Sequence, residues 1–110
     1  IRLISPTTDP KRLKQMLASS SGYLYYVSLK GITGAKLKNF AEVKNKVKSI
    51  KKLTNLPVVV GFGIKDAKTA KKMAAFSDGV VVGTKIIDFI EKKSIKKISN
   101  FTKLLKKAIN

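Results

Sequence analysis

The sequence predicts an α/β fold, a parallel four-stranded (β/α)4 array that amounts to half of a TIM (β/α)8 barrel, with residues 1–110 as one domain. Three observations lead there. Short apolar runs alternate four times with amphipathic segments, which is the pattern of strands joined by helices in a parallel sheet. Two of the runs are continuous valine stretches, Val58-Val59-Val60 and Val80-Val81-Val82, as in strands covered on both faces. The length of 110 residues excludes a complete eight-stranded barrel, which needs roughly 250.

The first unit begins with Ile1 to Ile4, stopped by Ser5 and Pro6. Asp9 and Pro10 then form an N-cap and N1 pair, opening a helix that runs to about Ser19 with Leu13, Met16 and Leu17 on one face. In the second unit, Tyr23 to Leu29 is rich in aromatic and β-branched residues and reads as a strand. A loop through Gly31-Ile32-Thr33-Gly34 follows, then a long helix marked by Phe40, Val43, Val47, Ile50 and Leu53 among lysines. In the third unit Pro57 opens the valine strand, Gly61-Phe62-Gly63 closes it, and Asp66 caps a helix that buries Ala70, Met73 and Ala74. The fourth is the strand Gly79 to Gly83 with a helix starting at Thr84, and a last helix, Ile95 to Ile109, carries Ile98, Phe101, Leu105 and Ala108 as its apolar stripe.

This pattern fits a small open sheet as well as half a closed barrel, and the glycines favour the second. Gly34, Gly63 and Gly83 each follow a strand and precede a helix, on the face where α/β proteins bind ligands. A glycine there lets backbone N–H groups approach an anion, and the helix N-terminus adds a favourable dipole. The pair Gly83-Thr84, one strand after Gly61-Phe62-Gly63, matches the phosphate site formed after strands seven and eight of such barrels. The four units are therefore expected to be strands five to eight.

Composition removes several classes of chemistry. Histidine and cysteine are absent, so there are no disulfides, thiolate metal sites, cysteine nucleophiles or histidine bases. The six carboxylates (Asp9, Glu42, Asp66, Asp78, Asp88 and Glu91) are scattered along the chain, and no metal site is expected. Asp66 reads as a cap, Asp78 as a turn residue, and the other four as helix-surface groups, which leaves no catalytic acid or base at a strand end. No apolar run reaches the ~20 residues of a membrane span. A cytoplasmic location with no membrane partner is the expectation. The net charge of +18 is nearly all lysine, with Arg2 and Arg12 the sole arginines, so a solvated basic surface that attracts anions is favoured over a nucleic-acid partner.

The order of motifs is similar to that of the tryptophan synthase alpha subunit family. The segments that carry the resemblance are Ser5-Pro6-Thr7-Thr8, Tyr25-Tyr26-Val27-Ser28, Gly31-Ile32-Thr33-Gly34, Leu56-Pro57-Val58, Gly61-Phe62-Gly63-Ile64 and Asp78-Gly79-Val80-Val81-Val82-Gly83-Thr84. The resemblance implies a lyase of tryptophan biosynthesis that cleaves indole-3-glycerol phosphate to indole and glyceraldehyde 3-phosphate. It implies no cofactor in this chain, since pyridoxal phosphate belongs to the partner beta subunit. By the same likeness Gly34, Gly63, Gly83 and Thr84 hold the phosphate, although the family usually has serine at the last position. Tyr25 matches the tyrosine beside the glycerol, Phe62 and Ile64 line the indole pocket, and Thr33 helps seat a catalytic aspartate. The family's catalytic glutamate and aspartate lie on earlier strands that no segment here matches, so the chain alone is expected to bind without turnover. A different phosphate-binding barrel, such as an indole-glycerol-phosphate synthase, and a lysine-rich anion-binding module are the alternatives. Half a barrel has two strand edges and an uncovered interior, so its expected partners are an N-terminal half or a second copy of this chain.

Overall fold

The computed structural model describes residues 1–27, 36–61 and 63–110, the side chains of 36–39 excepted. Four strands form one sheet in the order β1 (Arg2–Ile4), β2 (Leu24–Val27), β3 (Val58–Gly61) and β4 (Gly79–Val81). All three pairings are parallel, with Leu3, Tyr25, Val59 and Gly79 in one row and Ile4, Tyr26, Val60 and Val80 in the next. Between the strands run α1 (Pro10–Ala18), α2 (Lys36–Leu53) and α3 (Ala67–Ala74). α4 (Thr84–Glu91) and α5 (Ile95–Ile109) follow β4. The expected strand-and-helix order is observed, with the strands trimmed at their ends; Ser28 and Leu29 of the expected second strand lie outside the described residues.

The helix starts follow from local chemistry. Asp9 Oδ1 accepts a bond from the Arg12 N–H at 2.8 Å and Asp66 Oδ1 one from the Thr69 N–H at 2.7 Å, so each carboxylate satisfies a donor that the first turn leaves without a partner. α4 differs: Gly83 occupies its cap position and offers no side-chain bond.

Alternation along the strands sorts the core from the barrel interior. Ile4, Leu24, Tyr26, Val58 and Val60 point toward the helices and are buried with Leu13, Val47, Ile50, Met73 and Leu105. The other face carries Leu3, Tyr25, Val59 and Val81, and within this chain it is open, as the interior of half a barrel is expected to be. Leu3 is 64% exposed and the other three are only partly buried. The valine runs are those of a two-sided sheet, but the described helices cover one side alone.

One carboxylate does more than sequence reasoning assigned to it. Asp78, read as a turn residue, accepts a bond from the Val58 N–H at 2.8 Å through Oδ2 and one from Lys51 Nζ at 3.0 Å through Oδ1. It joins the start of β3, the start of β4 and the last turn of α2. The Val58 amide, the largest influence, holds the Asp78 carboxyl below its ordinary value of 3.8; burial opposes it, and the hydrogen bond and charge of Lys51 lower it further. The side chain is 39% exposed, so the ion pair adds little and the amide bond dominates. A group with a lowered folded pKa contributes stability above its unfolded value and loses it as pH falls through the folded one. Asp78→Asn is expected to cost roughly 1–2 kcal/mol at neutral pH. The gap from wild type should close as pH drops below 3.8, and urea unfolding at pH 7, 4 and 2.5 reads both effects.

Candidate functional site

The C-terminal ends of β3 and β4 border a cleft of about 420 Å³. Tyr25, Gly63, Ile64, Gly83 and Thr84, five of the eight residues expected to form the site, line it together. Thr33, Gly34 and Phe62 lie outside the described residues.

Each of the five is placed by a local cause. Gly63 and Gly83 both fall two residues beyond their strands, yet their backbones differ. Gly63 has φ +81°, a conformation that costs a side-chain-bearing residue about 1–2 kcal/mol, whereas Gly83 has φ −119° and needs no glycine for its geometry. Thr84 opens α4 directly after Gly83, where helix N–H groups and the positive end of the dipole face outward. Ile64 is 4% exposed, so it lines the cleft as part of the core rather than as a free wall.

Tyr25 stands on the interior face and its phenol lies over Gly61. A methyl group built at Gly61 would overlap the ring, with Cε1 at 2.8 Å. The absent side chain on β3 makes the room that the tyrosine on β2 occupies. Tyr26, one residue on, points the other way and is 2% exposed in the core. Burial, and after it the charge of Glu42, raises its hydroxyl pKa above the ordinary 10.0. Tyr26 is therefore a core residue, and Tyr25 is the one available to a ligand.

Three charged residues of the cleft were not anticipated. Lys65 and Lys85 come from the segments after Gly63 and Gly83, and Asp88 lines the cleft one turn along α4 from Thr84. Asp88 was expected on the helix surface; the i to i+4 spacing from Thr84 turns it to the cleft side instead. That spacing was the available signal. Lysines are so numerous that neither cleft lysine stood out.

The Ser5-Pro6-Thr7-Thr8 segment lines a different cleft of about 250 Å³ at the end of β1. Its hydroxyls bond one another, Ser5 Oγ to Thr7 Oγ1 at 2.9 Å, and Thr8 Oγ1 accepts the Ser5 N–H at 3.1 Å. These groups serve the turn into α1. Among the described residues no three of His, Cys, Asp and Glu come together as a metal site.

The family description "Tryptophan synthase alpha chain" matches residues 1–110. The chain belongs to the tryptophan synthase alpha chain family. The fold is similar to that of a solved protein from Aquifex aeolicus VF5, with 32% identity and a TM-score of 0.84 over 97% of this chain and 39% of that one. It is also similar to tryptophan synthase subunit alpha from Legionella pneumophila str. Paris, with 34% identity and a TM-score of 0.78 over 98% of this chain and 41% of that one. Identity to the subunit alpha from Campylobacter jejuni is higher, 43%, over 76% of this chain and 34% of that one, with a TM-score of 0.69. The four parallel strands thus match part of a TIM barrel of this family, and this chain spans about two-fifths of the length of the Aquifex and Legionella structures.

Proposed function

We propose that residues 1–110 form one half-barrel unit, strands five to eight of an alpha-subunit barrel, and that its cleft holds the phosphate of indole-3-glycerol phosphate. The observation that carries this reading is the gathering of Tyr25, Gly63, Ile64, Gly83 and Thr84 around one concave site at the strand ends. An uncapped helix N-terminus and two flanking backbone segments suit an anion, while Tyr25 and Ile64 suit the carbon part of a substrate. Gly34 would complete the phosphate site, with Thr33 and Phe62 on the substrate side.

In this reading the whole protein is a cytoplasmic lyase of tryptophan biosynthesis that releases indole and glyceraldehyde 3-phosphate. It works with a beta subunit, and pyridoxal phosphate resides in that partner. This chain supplies phosphate binding and part of the indole pocket, and the proton-transferring carboxylates come from the other half of the barrel. Asp88 sits on a helix beside the phosphate donors, a place where a carboxylate opposes anion binding rather than serving the bond to be cleaved.

Inorganic phosphate titrated against the wild type and Gly83→Val tests the site. A Cβ at Gly83 would meet no heavy atom within 4 Å, and valine for glycine at a cap position costs about 1 kcal/mol. The substitution therefore leaves the fold intact and obstructs the approach of an anion to the backbone. Phosphate is expected to shift amide resonances of Gly63, Gly83 and Thr84 in the wild type and to leave the variant unchanged. Equal shifts in both would place the site elsewhere.

A further inference from the structure

The charges around the cleft suggest how it selects its anion. Backbone N–H groups supply hydrogen bonds but no net charge, and a helix N-terminus supplies roughly half a positive charge. A phosphate monoester near neutral pH carries about −1.5 to −2. Asp88 adds a full negative charge to the same cleft. Dipole and carboxylate together would leave the site net negative, which disfavours an anion withdrawn from bulk water. Two residues reverse that sign, Lys65 from the segment between β3 and α3 and Lys85 from the first turn of α4.

Neither lysine is committed to a carboxylate. Among the described residues the one ion pair is Lys51 with Asp78. Lys85 Nζ instead rests 5.2 Å from the centre of the Phe89 ring, a contact worth little at a partly exposed site and readily given up for a phosphate oxygen. Lys65 is exposed. Side-chain rotation on the nanosecond scale suffices to bring either ammonium to a ligand.

We propose that Lys65 and Lys85 are the specificity-determining pair of this cleft, matching its charge to a dianionic phosphate monoester and discriminating against singly charged anions of similar shape. The proposal rests on the phosphate site put forward above and adds to it the residues that read charge. The glycine backbone and Thr84 fix where the group sits; the lysines, against Asp88, fix how much charge it must carry.

The test compares inorganic phosphate with dimethyl phosphate, a permanent monoanion, by isothermal titration at low salt from pH 6 to pH 8. The proteins are the wild-type chain, Lys65→Gln, Lys85→Gln, Gly83→Val, and Lys103→Gln as a control that removes the same charge outside the cleft. Wild type is expected to bind inorganic phosphate more tightly as pH rises and the dianion becomes dominant, and to bind dimethyl phosphate at least tenfold more weakly. Lys65→Gln and Lys85→Gln should each lose about tenfold in phosphate affinity, the size of one charge-assisted hydrogen bond under partial screening, and should flatten the pH dependence, while Gly83→Val should not bind. Lys103→Gln should match the wild type.

Lysine variants that bind like the wild type, while Gly83→Val does not bind, would overturn the charge-reading role and leave the site standing. A Lys103→Gln loss equal to that of the cleft variants would also overturn it, as an effect of net charge alone. Phosphate binding that is absent in the wild type, or unaffected by Gly83→Val, would overturn the site itself.

Discussion

The purified 110-residue chain is expected to release no indole from indole-3-glycerol phosphate, and to do so once an N-terminal half from a family member is supplied. The reason is proton transfer. A positioned acid or base contributes ~10²- to 10⁴-fold each, so a cleft without either falls short by ~10⁴-fold or more even when the phosphate is well held. The described lining of the cleft offers glycines, a threonine, two lysines, a tyrosine and one carboxylate, Asp88. Indole extraction followed by chromatography gives the readout, with a phosphate titration on the same sample to show that the cleft is occupied. Turnover by the chain alone would contradict the assignment of the acid and base to another segment. It would also name the suspect, because Asp88→Asn should then abolish it.

The second large effect concerns assembly. Among the described residues, sheet order leaves one side of β1 and one side of β4 unpaired, and the face between them carries Leu3 at 64% exposure with Val59 and Val81 half-covered. Neither Val80 nor Val81 brings a charge or a proline to the β4 edge. Two copies placed edge to edge would make an eight-stranded closed sheet and bury both open faces, and an N-terminal half would do the same. The opposing force is electrostatic, since each chain brings a net charge of +18. Screening shortens from about 10 Å at 0.1 M salt to about 3 Å at 1 M, so self-association should strengthen as salt rises, the reverse of an interface held by ion pairs. Sedimentation velocity at both ionic strengths measures this. A compact monomer at micromolar concentration in each would remove the second copy as a partner.

How far the sequence reached depended on the range of the interaction involved. Elements set by neighbours in the chain were readable: the Asp9-Pro10 and Asp66 helix starts, and the Ile98, Phe101, Leu105 and Ala108 stripe of α5. That Tyr25, Gly63, Ile64, Gly83 and Thr84 border one cleft was readable through motif order, because residues at or just past the C-terminal ends of neighbouring parallel strands come to the same edge of the sheet. Contacts between distant segments were not. Nothing near Asp78 signals that its carboxylate receives the Val58 amide twenty residues earlier. The valine runs alone state that both faces of the sheet are to be covered; it was the chain length that pointed to a second cover outside it. Asp88 was misplaced because a lone acidic residue on a lysine-rich helix reads as surface, although its spacing from Thr84 held the correction.

Gly61 and Tyr25 divide a single volume between two strands, and this makes their histories inseparable. A side chain at Gly61 requires the Tyr25 phenol to shrink or turn away, since the phenol fills the place where the new atom would sit. Each position is thus a lock on the other. As long as the glycine persists there is space for an aromatic wall in the cleft, and the simplest mutation of the glycine displaces that wall. A side chain gained at Gly61 is therefore expected to come with a change of position or of size at Tyr25.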